Sequence, residues 1–163
     1  MLAASTRMAA PAVDDETAVR AVIAGAHRAW TRGDGSSYAA CFTKETSDTA
    51  FFGLCRDGRA ANAELHGALF QFAAKGAAAS ASIEAIEWLG AEVALVRTAS
   101  YGAVPGYQTY VLVKRDGAWL IRSFQHTPVN PTAAWAVRAI RRRPSLPFMG
   151  RVDAAQRRTG GAV

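Results

Sequence analysis

The stretch from Ser80 to His126 constrains this chain most, because nearly all of it is β-forming. Ile83–Leu89, Val93–Tyr101, Gln108–Arg115 and Ala118–His126 are rich in β-branched and aromatic residues, and Gly90, Pro105-Gly106 and Asp116-Gly117 separate them. Asp-Gly between two such runs is a strong hairpin signal, so the expected arrangement is a run of antiparallel strands. Such a sheet needs cover on at least one face.

The preceding residues supply that cover. Asp14, Asp15 and Glu16 put negative charge where a helix N-terminus favours it, and Val19, Val22, Ile23, Ala26 and Trp30 recur at helical spacing. A first helix from about Asp15 to Arg32 is expected, stopped by Gly33-Asp34-Gly35. A short second helix through Tyr38 to Phe42 would begin at Ser36 or Ser37. From Asp48 the pattern turns extended through Phe51, Phe52 and Leu54, and Asp57-Gly58 makes a turn. Arg59–Lys75 is helical again, with Leu65, Leu69 and Phe72 on one side, His66 and Phe70 on an adjoining side, and Gly76 as C-cap. Three helices followed by strands predict an α+β domain over residues 14–128, with a flexible segment 1–13 before it. A basic, proline-broken tail, 129–163, follows, with one short helix over Thr132–Arg143.

Charge separates the domain from its tail. Residues 127–163 hold seven arginines (Arg138, Arg141, Arg142, Arg143, Arg151, Arg157 and Arg158) against Asp153 alone, which accounts for the whole net charge of +6. The remaining 12 basic and 12 acidic side chains balance, so the high isoelectric point gives no reason to expect the domain to bind nucleic acid. The tail could meet nucleic acid or an acidic partner protein through Arg141-Arg142-Arg143; a solvated appendage explains it with less. Cys41 and Cys55 lie in no metal-binding or redox spacing and read as reduced packing residues. No segment has the length and apolarity to span a bilayer or serve as a secretory signal, so the cytoplasm is the expected compartment.

Five segments, in order, carry a family resemblance: Ala29-Trp30-Thr31-Arg32-Gly33-Asp34; Tyr38 to Phe42; Asp48 into Phe51-Phe52-Gly53; Gly58-Arg59 followed by Glu64-Leu65-His66-Gly67-Ala68-Leu69-Phe70; and Asp116-Gly117-Ala118-Trp119-Leu120-Ile121 running into Gln125-His126-Thr127-Pro128. Together they resemble the SnoaL-like, SgcJ/EcaC-type branch of the NTF2-like superfamily. The resemblance implies a cone, a bent sheet wrapped around helices with an apolar cavity between them, and a homodimer formed through the outer sheet face. It also implies a setting in enediyne or other polyketide antibiotic biosynthesis, with ketosteroid isomerases, polyketide cyclases and non-catalytic binding modules among the relatives. A fold shared so widely leaves function to the site.

A cyclase or isomerase of this kind needs a base of raised pKa facing the cavity and a donor for the enolate. Related cyclases supply acids from the late strands, yet between Pro105 and His126 the only carboxylate here is Asp116, in a hairpin turn. The candidates are therefore Asp48, which opens the first strand, and His66 on the third helix, with Gln125 or His126 supplying a hydrogen bond. Asp48 could equally cap a turn, and His66 could be a satisfied core histidine. Gln125 shares a face with Trp119, Ile121 and Ser123, and His126 with Leu120, Arg122 and Phe124, so at most one of the pair points inward. Trp30, Tyr38, Phe52, Phe70, Trp88, Tyr101, Tyr107, Tyr110 and Trp119 would suit a flat hydrophobic ligand or simply fill the core. Arg97 and Glu87 are expected to pair across strands. There is no phosphate loop or dinucleotide fingerprint, and His27, His66 and His126 are too scattered to propose a metal, so no cofactor is expected.

Overall fold

The computed structural model describes residues 13–50, 52–72, 80–101, 104–132 and 135. The expectations for the N-terminal segment, Phe51, Gly76 and the tail arginines fall outside these. The chain divides into Met1–Val129 and Asn130–Val163, and every element named below belongs to the first unit.

Helix α1, Val13–Arg32, turns Val19, Ile23 and Ala26 inward against strand residues that include Leu112 and Ile121. Full burial of an aliphatic side chain such as Ile23 contributes about 1.5–3 kcal/mol, so this stripe fixes the helix on the sheet. Near its start Asp15 accepts from Lys114 Nζ at 2.6 Å and from the Trp119 indole at 2.8 Å. Helix α2, Gly35–Ala40, is capped by Asp34 rather than by a serine: the Asp34 carboxylate accepts from Ser37 N at 2.9 Å. It stops before Phe42, which is fully buried and pairs with Ile121 as the first residue of strand β1, Phe42–Thr49. Asp48 therefore lies near the end of β1 instead of opening it. The polar run Thr43–Ser47 hides this strand from any hydrophobic pattern, and pairing with a neighbouring strand makes it.

Strand β2, Cys55–Asp57, is a short edge, and helix α3, Arg59–Phe72, follows. The face of α3 that is buried carries Asn62, His66 and Phe70, one helical turn apart, whereas the expected stripe residues Leu65 and Leu69 are only half-buried. Strands β3 (Ser80–Gly90), β4 (Val93–Tyr101), β5 (Gly106–Arg115) and β6 (Ala118–Pro128) complete a six-stranded sheet of order β2-β1-β6-β5-β4-β3. The β5–β6 turn has Asp116 at φ 50° and Gly117 at φ 79°, the left-handed pair that a two-residue hairpin requires. Four of the five pairings are antiparallel as expected, but β1 and β6 run parallel. These two strands are joined only through α3 and the β3–β5 meander, so no hairpin dictates their direction.

One irregularity decides what faces the helices. Leu112 pairs with Ile121 and the adjacent Val111 with Ser123, leaving Arg122 as an extra residue in β6. Trp119 and Ile121 are buried before this bulge, and Phe124 is buried after it. The expected alternation is therefore broken: His126 shares the inner face with Phe124, Trp119 and Ile121, while Gln125 is exposed on the opposite face.

Candidate functional site

Polar groups gather on the concave face in two neighbouring rows set by strand register. Asp48 on β1 stands beside Phe124 on β6, and Phe124 stands opposite Tyr110 on β5. In the next inward row His126 is opposite Gln108, and Gln108 is opposite Thr98 on β4.

Asp48 is 1% exposed, and among the described residues its hydrogen-bond partner is the amide of Asn62, whose Nδ2 donates to Asp48 Oδ2 at 2.5 Å. Asp48 Oδ1 and Asn62 Oδ1 are both buried without a hydrogen-bond partner. Burial pushes the Asp48 carboxyl up to about 7, since the charged form loses its hydration and gains no cation. One turn along α3, His66 Nδ1 donates to the Asn62 carbonyl at 2.9 Å, which fixes that tautomer and leaves Nε2 as an acceptor. Burial also lowers the His66 pKa, so the ring is neutral. Aromatic rings enclose it: Tyr38 at 4.3 Å between centroids, Trp30 at 5.5 Å and Phe70 at 6.0 Å.

The second group hangs from α1. The Tyr110 hydroxyl donates to Gln108 Oε1 at 2.9 Å, and Thr98 donates to the same oxygen at 2.9 Å. His27 Nε2 lies 3.2 Å from the Tyr110 oxygen and, with that hydroxyl's proton committed to Gln108, is the donor there. Burial lowers the His27 pKa and raises that of Tyr110, to which the nearby Asp48 charge adds. His126 lies next to this group, 3.4 Å from the Ser100 hydroxyl, which also donates to Gly106 O at 3.2 Å. Glycine at 106 makes room for the ring, since a Cβ there would stand 2.7 Å from His126 Nε2.

The structure thus brings Asp48, His66 and His126 to the inner face together with Trp30, Tyr38, Phe70 and Tyr110. It keeps the other candidates apart from them. Gln125, Phe52 and Tyr101 are exposed, as is Tyr107. Trp119 is buried, but it packs on Trp88 at 5.6 Å and spends its indole N–H on Asp15. Arg97 and Glu87 do pair, at 3.0 Å, with both side chains exposed. Sequence reasoning missed Asn62, Gln108 and Thr98. Two signals could have found them: the four-residue step from Asn62 to His66, and the period-two spacing of Gln108 with Tyr110. Among the described residues no group of three potential ligands is placed to hold a metal ion, and no helix is long and apolar enough to cross a membrane.

Comparison with solved structures defines the fold. A domain of unknown function with a cystatin-like fold from Nostoc punctiforme matches with a TM-score of 0.71 at 22% identity, over 80% of this chain and 87% of that one. A candidate scytalone dehydratase from Novosphingobium aromaticivorans gives 0.64 at 16% identity, covering 72% and 86% of the two chains. A ketosteroid isomerase-like protein from Erwinia carotovora gives 0.63 at 16%, covering 74% and 100%. The fold is the α+β cone called cystatin-like or NTF2-like. No family model matches the sequence, and neither does any curated protein.

Proposed function

We propose that this chain binds a hydrophobic small molecule, of the polyketide or polyene kind handled in natural-product biosynthesis, against the concave face of its cone. Asp48 exchanges a proton with that ligand during a cyclisation or isomerisation. The observation that carries this reading is the Asp48 carboxyl, buried with one amide partner and no cation; burial pushes it up to about 7, where a carboxyl can both take and return a proton at physiological pH. Neutral His66 and the His27–Tyr110–Gln108 group supply an acceptor and donors around it, and His126 a further hydrogen bond. Gln125 has no part, because it faces the other way. Two structural neighbours, described as a scytalone dehydratase candidate and as ketosteroid isomerase-like, support a fold suited to such chemistry. The half-buried outer-face residues Leu95, Val111, Val113 and Leu120 form adjacent cross-strand pairs and suit the surface through which a cytoplasmic homodimer would form.

Mass spectrometry of molecules that co-purify with the protein tests the binding reading. Isomerisation of a β,γ-unsaturated ketone tests the chemistry. Asp48→Ala and His66→Ala should abolish turnover and leave binding partly intact; full activity in both variants removes the assignment. A second reading, a non-catalytic binding module, is favoured by the scarcity of acids: the one carboxylate between Pro105 and His126 is Asp116, exposed in its turn. Retained ligand with no turnover in any such assay would select it.

A further inference from the structure

The Asp48–Asn62 pair is short of one proton. A carboxylate and a carboxamide bring two N–H donors and three acceptor oxygens, and here two of those oxygens are buried without a partner. Both residues are within 1% of full burial, so water does not reach them. A proton on Asp48 would close the pair with two hydrogen bonds, the carboxyl O–H to the amide oxygen and the amide N–H to the carboxyl oxygen. Exchanging the amide O and N leaves the same closed pair.

Among the described residues no group donates to Asp48 Oδ1 and no cation faces it. Tyr38 from α2, His66 from α3 and Tyr110 from β5 face this region, and none of them is positively charged at neutral pH. Arg56, its partner across β2, is exposed and forms no ion pair with it. Lys44 and Glu45 on the same strand are exposed. An ionised pair would leave two acceptor oxygens adjacent in a dry interior, a state that costs free energy until something donates to them.

We propose that the Asp48–Asn62 pair is a subsite that holds either its own carboxyl proton or a hydrogen-bond-donating group of the ligand, a hydroxyl or an ammonium, but not both. This rests on the reading of the cone as a small-molecule site and names the ligand class. Protonated, the pair seals β1 to α3. Ionised, it selects a hydrophobic molecule with a donor at one end, and that molecule's entry expels the proton to solvent. Donor binding therefore strengthens as pH rises through the titration of Asp48.

Two measurements test this on the full chain. The first is carbon-13 NMR of the aspartate carboxyls in the wild-type protein, with Asp48 assigned by its loss in Asp48→Asn. An uncharged Asp48 is expected at pH 5.5, and an ionised one there overturns the proposal whatever the ligand. The second compares 1-naphthylmethylamine with 2-acetonaphthone, which has no donor, by fluorescence at pH 5.5 and pH 8. The amine should bind roughly tenfold or more tightly at the higher pH, with the ketone unchanged. An amine affinity independent of pH, or a ketone that follows the amine, overturns the subsite. Failure of both probes to bind at either pH overturns the cone reading itself, and the subsite's ligand class with it, even where the carboxyl titrates as expected.

Discussion

Among the described residues two carboxylates, Asp15 and Asp48, are buried, and they are built in opposite ways. Asp15 receives an ammonium and an indole N–H, so its charge is matched where α1 meets the β5–β6 hairpin. Asp48 receives one amide and no cation, and its second oxygen is left over. A buried charge with its partners supplied is a fastener. One without them is unstable in its ionised form, and its chemistry becomes available to whatever approaches it. The contrast teaches that burial alone identifies neither role; the inventory of partners does.

The contrast breaks most directly under substitution. Asp15→Ala should cost about 2–3 kcal/mol in urea unfolding at pH 7, because it strands Lys114 and the Trp119 indole together. Asp48→Asn should change stability in the other direction, with a gain about 2–3 kcal/mol larger at pH 8 than at pH 5. The sign follows from the raised pKa. Between about 4 and 7 the folded protein holds a proton that the unfolded chain has released, so ionising Asp48 lowers stability as pH rises. Equal losses in the two variants would erase the distinction.

A pH series sharpens it. His66 is buried and His27 and His126 are half-buried, all with pKa values lowered by burial, so the stability they contribute is intact above about pH 6.5 and is lost as pH falls through their folded-state values. In the wild type these losses oppose the gain from protonating Asp48. In Asp48→Asn they stand alone, and the urea midpoint should fall by the equivalent of about 1 kcal/mol between pH 7 and pH 5. The smallest effect belongs to a pair that is charged but not buried. Arg97→Ala, which removes the exposed contact with Glu87, should cost under about 0.5 kcal/mol and vanish at high salt.

Much of the fold could be read in advance, and the physical reason is local. The first helix and the four late strands carry their own signals in periodicity, turn residues and β-branching, and each formed close to where those signals pointed. Strand β1 did not announce itself, because Thr43 to Ser47 are polar and acquire strand geometry only beside β6. The parallel direction of that junction is likewise non-local. For the site, residue type brought Asp48 and His66 forward, since few acids and histidines are present. Asn62, Thr98 and Gln108 are ordinary polar residues whose importance lies in what stands across from them, and a single sequence does not print its cross-strand neighbours. The inward direction of His126 was out of reach for another reason: strict alternation along β6 is the rule, and Arg122 breaks it.

That single extra residue acts on β6 as a change of phase acts on a wave. Everything after Arg122 presents the side that would otherwise be hidden, so the inner surface receives an imidazole where an uninterrupted strand would deliver a carboxamide. Inserting one residue between Phe124 and Gln125 would exchange His126 for Gln125 at the inner wall without altering either side chain. The chemistry available to the cone is therefore set partly by a length of chain, and a lineage of such proteins could swap a titratable wall for a neutral one through the gain of a single codon.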